Sequence, residues 1–481
     1  MSGIRVKTLA GAETTLASEA IDTLRQSVRG GVLTPGAPEY DEARTIWNAM
    51  IDRRPALIVR CAAAADVAAA VRLAHDRGLL VAIRGGGHNI AGNAVCDGGL
   101  MIDLSRMKSV TVDAANRTAR VEAGATLGDF DSAAQAFGLA TPLGINSTTG
   151  IAGLTLGGGF GWLSRSLGLS IDNLLSADVV TSTGERVKTS ATEHPDLFWG
   201  IRGGGGNFGV VTSFEFRLHP IGPDVLSGLI VHPLSAARDV LRFYRDFIKT
   251  TPDEFVCWFV LRKAPPLPFL AAEWHGKEVL VLAACHAGSL QEGERIAKPL
   301  RSFGRPLADV IAPHPFTAWQ SILDPLLTPG ARNYWKSHDL NAVNDGLIDV
   351  LLDFAGRIPD PQSEIVFVQL GGAVSRVPFE ATAYAHREAE FVLNVHGRWA
   401  EAAKDAQCIR WARDLFAAVA PFATGGVYVN FMTQDEEERV RAAYGGHYDR
   451  LVQLKAKYDP ANLFRMNQNI RPSESSTAAV I

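Results

Sequence analysis

The sequence predicts an α+β fold, on three observations. A strand–helix–strand succession runs from Pro55 to Ile83, alternating hairpin strands follow between Val110 and Lys188, and longer strands and helices take over beyond Pro220. At 481 residues the chain is long enough for two or three domains, each with its own core.

Taken in order, residues about 15–30 and 40–53 read as helices, with Ile21, Leu24 and Val28 on one face of the first. Pro55 to Arg60 is a strand, Ala65 to Arg77 an alanine-rich helix stopped by Gly78, and Leu79 to Ile83 the next strand, with a further one at Leu100 to Leu104. Val110–Asp113 and Thr118–Ala123 alternate as a hairpin about Asn116 and Arg117, and Asp178–Lys188 as another about Gly184 and Glu185. Beyond Pro220, Glu254–Lys263, Val279–His286 and Ile365–Leu370 read as strands, and Leu234–Lys249 and Thr382–Glu390 as helices. The last segment closes with a helix through Leu451 and Leu454, and the small polar residues after Pro472 are expected to fray.

Composition narrows the function. Apolar residues make up 47% and charged residues 20%, as in ordinary globular chains. Lys and Arg number 47 against 51 Asp and Glu, and no basic stripe stands out, which argues against a nucleic-acid partner. Five scattered cysteines without a C-x-x-C pair give neither a zinc site nor a disulfide framework, so no metal is expected. The N-terminus lacks a leader pattern and no stretch approaches the ~20 apolar residues of a membrane span. The expected location is cytoplasmic, with no membrane partner.

Chemistry concentrates at Val81–Asn89. A short apolar strand ends in Arg84, then Gly85, Gly86 and Gly87 lead to His88 and Asn89. Without side chains, backbone N–H groups converge closely, and beside an arginine they form a nest for an anion such as a pyrophosphate. A dinucleotide fingerprint would open a helix, but Ile90–Gly99 has no helical period, and no G-K-[ST] follows any glycine run. Two further glycine blocks occur at Gly150–Gly161 and Arg202–Thr212. Each glycine costs about 0.5–1 kcal/mol in regular structure, so three such blocks point to a long ligand gripped through close backbone contacts. Six of the nine tryptophans fall after residue 220, as core residues or as the walls of a pocket for a flat or sugar-like substrate.

Arg84-Gly-Gly-Gly-His-Asn89, the Gly150–Gly161 block followed by Asp172-Asn173, Asp196–Thr212 and Tyr458-Asp-Pro-Ala-Asn-Leu-Phe464 together resemble the berberine bridge enzyme-like branch of the FAD-linked oxidases. The flavin domain of that branch is of the vanillyl-alcohol oxidase type. The likeness covers residues about 50–220 and 425–472 well and the middle loosely. It implies a two-domain flavoprotein: residues 1–222 as the FAD-binding domain, 223–425 as a substrate domain with an antiparallel sheet backed by helices, and 426–481 returning to the FAD domain.

The resemblance also implies site residues. Arg84 to Asn89 becomes the pyrophosphate loop, with His88 covalently joined to the flavin. Further FAD contacts fall to Asn146, Thr148, Thr149, Gly150, Gly153, Leu154, Gly158, Gly159, Phe160, Gly209, Val210, Asn467 and Asn469. Some members add a second tether through a cysteine where this chain has Asn146, so a single bond through His88 is expected. A small branched residue three positions on, here Thr149, admits oxygen in the family. Many members end Tyr-x-Asn-Tyr with the last tyrosine as base, but this chain reads Tyr428-Val429-Asn430-Phe431, and Phe391–His396 lacks the acidic residue of some plant members.

The catalytic candidates are Tyr428 and Asn430, on one face of an expected strand, and Asn394 and His396, on one face of Phe391–His396 by the two-residue period. His338 is a weaker candidate. The activity implied is hydride removal from a small-molecule alcohol or amine, with molecular oxygen as acceptor and hydrogen peroxide as product. The missing tyrosine tilts the reading toward amines, which need no separate base. A dehydrogenase with another acceptor, and a flavoprotein that only sequesters a small molecule, stay open. The oligomeric state is not legible.

Overall fold

In the computed structural model, which describes residues 3–473, the first half of the chain builds a four-stranded and a five-stranded sheet, besides two small two-stranded ones. Strands Leu57–Arg60, Leu100–Asp103 and Val81–Arg84 lie parallel in that order, with the two-residue strand Val32–Leu33 antiparallel at the edge. Fully buried Leu57, Ile58, Val59, Leu100, Met101 and Ile102 explain why these strands read as unbroken apolar runs. Helix Ala64–Arg77 connects Leu57–Arg60 to Val81–Arg84 and ends at Gly78, whose φ of 57° supplies the left-handed cap.

The second sheet is antiparallel, in the order Arg186–Ser190, Leu174–Val180, Val210–Arg217, Thr118–Glu122, Val110–Asp113. Both expected hairpins are present. The core beneath these two sheets takes in Val427, Met432, Tyr444, Leu451, Leu463, Phe464 and Ile470 from the far end of the chain, so both chain ends share one hydrophobic interior.

The middle of the chain forms an eight-stranded antiparallel sheet. Its main path runs Ala308–Asp309, Asp224–Pro233, Glu278–His286, Phe255–Lys263, Glu364–Gln369, Phe391–Trp399, Arg332–Leu340. Helices Ala237–Phe247, Leu290–Ser302, Asp345–Ala355 and Asp405–Val419 cover one face and bury a second core with it. The other face turns toward the glycine blocks. The result is the two-domain α+β arrangement of vanillyl-alcohol oxidase-type flavoproteins.

Local expectations fail in three places, each for a tertiary reason. Only Tyr40–Arg44 of the second helix forms. Trp47 instead donates its backbone N–H to Gly87 O, and the Asn48 side chain bridges Ile90 O and Asn333 O, which holds the segment extended. Thr382–Glu390 is not helical, because Arg387 reaches back to clamp Asp172 through two 2.7 Å bonds. Residues 428–431 form a 3-10 turn, Val429–Phe431, and not a strand. The fraying expected at the C-terminus concerns residues that, from 474 on, lie outside the described residues. The five cysteines are buried and free, and no helix among the described residues is long and apolar enough to cross a membrane.

Candidate active site

The uncovered face of the large sheet and the three glycine blocks enclose a cavity of about 400 Å³. Its floor is backbone. Gly86 and Gly150 pack so closely that a Cβ on Gly86 would lie 2.5 Å from the Gly150 Cα, and one on Gly150 would lie 2.6 Å from the Gly86 Cα. The first two blocks therefore touch only because both lack side chains. The third block is tied to the second: Gly203 and Gly205 both donate backbone N–H groups to Leu156 O, at 3.1 and 2.9 Å. Three places spread along the chain between Arg84 and Thr212 thus form one surface.

The C-terminal segment is fastened to that surface by a buried charge. Lys455 Nζ donates to Asp459 (2.7 Å), Asn207 O and Phe464 O, while Asp459 accepts the backbone N–H groups of Leu463 and Phe464. Both side chains are completely buried. Asn207 bonds the Gly204 and Gln468 carbonyls and accepts from Ile470 N–H. This is the work of the Tyr458–Phe464 motif: it seats Met466, Asn467 and Gln468 in the cavity wall.

His88 stands at one edge, half-buried and stacked beneath Trp47 with ring centroids 5.1 Å apart. Burial lowers its pKa to about 4, with the contact to Thr148 opposing weakly, so the imidazole is neutral at neutral pH. The Thr148 hydroxyl donates to Asn146 Oδ1 at 2.6 Å and so presents a lone pair to His88 Nε2, 3.1 Å away. The proton then sits on Nε2 and the free pair on Nδ1.

Tyr428 Oη accepts from Gly159 N–H at 3.1 Å and from Asn430 Nδ2 at 2.9 Å, and Asn430 also donates to Leu154 O. Burial raises the Tyr428 pKa to about 12, the two donors opposing. Tyr428 is therefore a fixed neutral phenol and not a base. Phe431 lies between its ring (4.9 Å) and that of Trp335 (5.5 Å).

The sheet wall carries one charged row. Antiparallel register places Arg262 opposite Glu364, Glu364 opposite His396, and His396 opposite Trp335, on four adjacent strands. Arg262 Nη1 donates to Glu364 Oε2 at 2.7 Å, and Glu364 Oε1 lies 3.0 Å from His396 Nδ1. Burial opposes ionisation of Glu364, yet Arg262 and His396 hold its pKa near 2. Burial lowers the pKa of His396, the Glu364 carboxylate opposing and Arg398 and Arg262 adding to the fall. The remaining wall is aliphatic and aromatic, with Leu229, Val260, Val281, Val366 and Trp258 among its residues.

Among the sequence-derived residues, Gly85, Gly86, Gly87, His88, Asn89, Asn146, Thr149, Gly150, Gly153, Leu154, Phe160, Gly209, Val210, Asn394, His396, Tyr428, Asn430 and Asn467 all line the cavity. Arg84 does not. Its guanidinium turns away to Ala43 O and backs Gly87 from behind, so the expected arginine beside the anion nest is corrected to a support of the loop. Thr148 is exposed at the rim, and Gly158, Gly159 and Asn469 sit behind the wall, with Gly158 against Tyr384. His338 is elsewhere, stacked 4.1 Å from Phe416 and bonded to its carbonyl. Sequence reasoning missed Trp47, Gly205, Gly206, Arg262 and Glu364. The glycine pair lay within the third block, strand pairing reveals Arg262 and Glu364, and Trp47 is placed by its bond to Gly87 O.

The donors and acceptors suit a large ligand bearing phosphates, hydroxyls and a flat ring. Bare backbone lines the floor, and the side-chain oxygens of Asn467 and Asn394, two residues of the cavity wall, are buried without partners. FAD has this composition.

Known proteins agree. Residues 55–190 match the family model of the FAD binding domain, and residues 427–471 match that of berberine and berberine-like proteins. An FAD-linked oxidoreductase of Dictyostelium discoideum is 33% identical over 95% of this chain and 98% of its own length. The (R)-6-hydroxynicotine oxidase of Paenarthrobacter nicotinovorans is also 33% identical, over 93% of this chain and 98% of its own. The crystal structure of 6-hydroxy-D-nicotine oxidase from Arthrobacter nicotinovorans superposes with a TM-score of 0.83 at 31% identity, covering 92% of this chain and 98% of that one.

Proposed function

The chain belongs to the berberine bridge enzyme-like FAD-linked oxidoreductases, and from that premise we propose that it is an oxidase. It removes a hydride from a carbon bearing a hydroxyl or amino group on a small molecule and passes the electrons to oxygen. FAD, when bound, supplies the hydride acceptor. In this reading residues 1–222 and 426–481 hold the cofactor and residues 223–425 hold the donor.

The observation that carries the proposal is the meeting of the three glycine blocks on one surface, with a neutral imidazole at its edge. The glycine floor and Asn467 hold the cofactor, and the Thr148–Asn146 contact orients His88 with a free ring nitrogen. A neutral imidazole is a competent nucleophile, which supports a covalent bond through His88. Asn146 offers no thiol for a second. Thr149 in the cavity wall is short enough to leave oxygen a path.

The purified protein is expected to be yellow, to bleach when a donor is added without air, and to recover with stoichiometric peroxide when air returns. Bleaching with recovery only through an artificial acceptor points to a dehydrogenase. A yellow protein that binds donors and never bleaches supports sequestration instead.

A further inference from the structure

We propose that His396 is the catalytic base of this site, that Glu364 positions it, and that the donor is an alcohol carried on a flat, largely apolar ring system. The proposal rests on the oxidase reading above. Glu364 is ionised and has only acceptor oxygens, so its 3.0 Å contact with His396 Nδ1 requires the proton to be on Nδ1. The lone pair is left on Nε2, which is buried, lacks any partner and belongs to a residue of the cavity wall. An oriented imidazole with an unpartnered nitrogen, on a residue that lines the cavity, has the arrangement of a general base held by a carboxylate.

The position is suited to the reaction. Trp335 packs 4.5 Å from His396 and 5.8 Å from Trp47, which stacks on His88. His396 is thus three ring contacts, through Trp335 and Trp47, from the expected attachment point of the cofactor. An alcohol needs a proton acceptor as its hydride leaves, and with Phe431 in place of a tyrosine and Tyr428 held neutral, His396 fills that role. In the step, the O–H proton passes to His396 Nε2, the C–H electron pair leaves as hydride to the flavin, and the C–O single bond becomes a carbonyl.

The wall around the base selects the donor. Leu229, Val260, Val281 and Val366 offer no hydrogen bonds, so a sugar would bury several unpaired hydroxyls against them. Trp162 and Trp258 stack at 4.3 Å, and Trp162 lies 5.0 Å from Trp319, forming a broad aromatic surface. The indole N–H groups of Trp162, Trp258, Trp319 and Trp335 are buried without acceptors. A flat ring system with a few acceptor oxygens satisfies both features.

The charged groups facing His396 are Glu364 from the neighbouring strand, Arg262 from the strand beyond it and Arg398 from its own, while Trp335 on the remaining side is uncharged. Burial disfavours the imidazolium, so the base stays active to a lower pH than a free imidazole would.

Matched pairs test this: 1-phenylethanol and 1-(2-naphthyl)ethanol against the corresponding amines and cellobiose, followed by anaerobic flavin bleaching between pH 5 and 9. The arylethanols are expected to bleach the flavin fastest, with an acid limb below pH 6.5. His396→Gln should slow them about 10²–10⁴-fold with bound FAD unchanged. Glu364→Gln should move the acid limb to lower pH, a shift that a merely structural role would not produce. In ¹⁵N-histidine spectra, a signal lost in His396→Gln should report an unprotonated Nε2 at pH 7.5. Bleaching by the amines or cellobiose alone, an unslowed His396→Gln, or a protonated Nε2 at pH 7.5 overturns the proposal and leaves the oxidase reading standing. A purified protein without FAD overturns both.

Discussion

The cavity has two walls built on opposite principles. The glycine wall is made of backbone: Gly86 and Gly150 touch because neither carries a side chain, and Leu156 accepts two glycine N–H groups. The sheet wall is made of side chains, and its one charged row exists only because Arg262, Glu364, His396 and Trp335 fall into register across four strands. A wall made of missing side chains tolerates almost no substitution and serves a fixed ligand. A wall made of side chains on a rigid sheet can be rewritten residue by residue, which suits a donor that differs among relatives.

The largest expected break is on the glycine side. Lys455→Met leaves Asp459 buried without its partner and frees the segment that seats Asn467. A loss of about 3–5 kcal/mol in unfolding free energy is expected, with loss of flavin, read by denaturant titration. Gly86→Ala forces the first two blocks apart at about 1–3 kcal/mol, and flavin content measured by absorbance should fall with it.

The seam between the walls has its own signature. Asp131 is buried, accepts from Gln320 Nε2 at 3.0 Å, and burial raises its pKa to about 7, Gln320 opposing. Its folded pKa exceeds the unfolded value near 3.9, so its stabilising share is complete at acid pH and is lost as pH rises toward 7. Asp131→Asn should therefore raise Tm at pH 8 relative to wild type, and less so at pH 5. The smallest effect belongs to the sheet wall. Val366→Ala should cost about 1 kcal/mol, leave flavin content intact and change KM more than the bleaching rate.

The same contrast explains what the sequence disclosed. Glycine blocks are visible as composition, so the backbone floor of the cavity was legible before any coordinates, while His88 and the return of the chain's last segment to the first domain were implied by the family resemblance. The two-residue period correctly put Asn394 and His396 on one face. Glu364 was invisible, because its meaning comes from standing opposite His396, and register is set by pairings between distant segments. The bond of the Arg84 guanidinium to Ala43 O was invisible for the same reason. Tyr428 and Asn430 share a 3-10 turn where alternation suggested a strand, since two hydrogen bonds to Tyr428 Oη, from Gly159 N–H and Asn430 Nδ2, fix that turn against the second glycine block.

The central claim is that the glycine surface holds FAD with His88 joined to it. Intact mass after acid precipitation tests this directly, on the wild-type protein and on His88→Ala. The wild type should carry the mass of one FAD and the variant none. A wild type without the addition, or a variant that keeps it, would contradict the account.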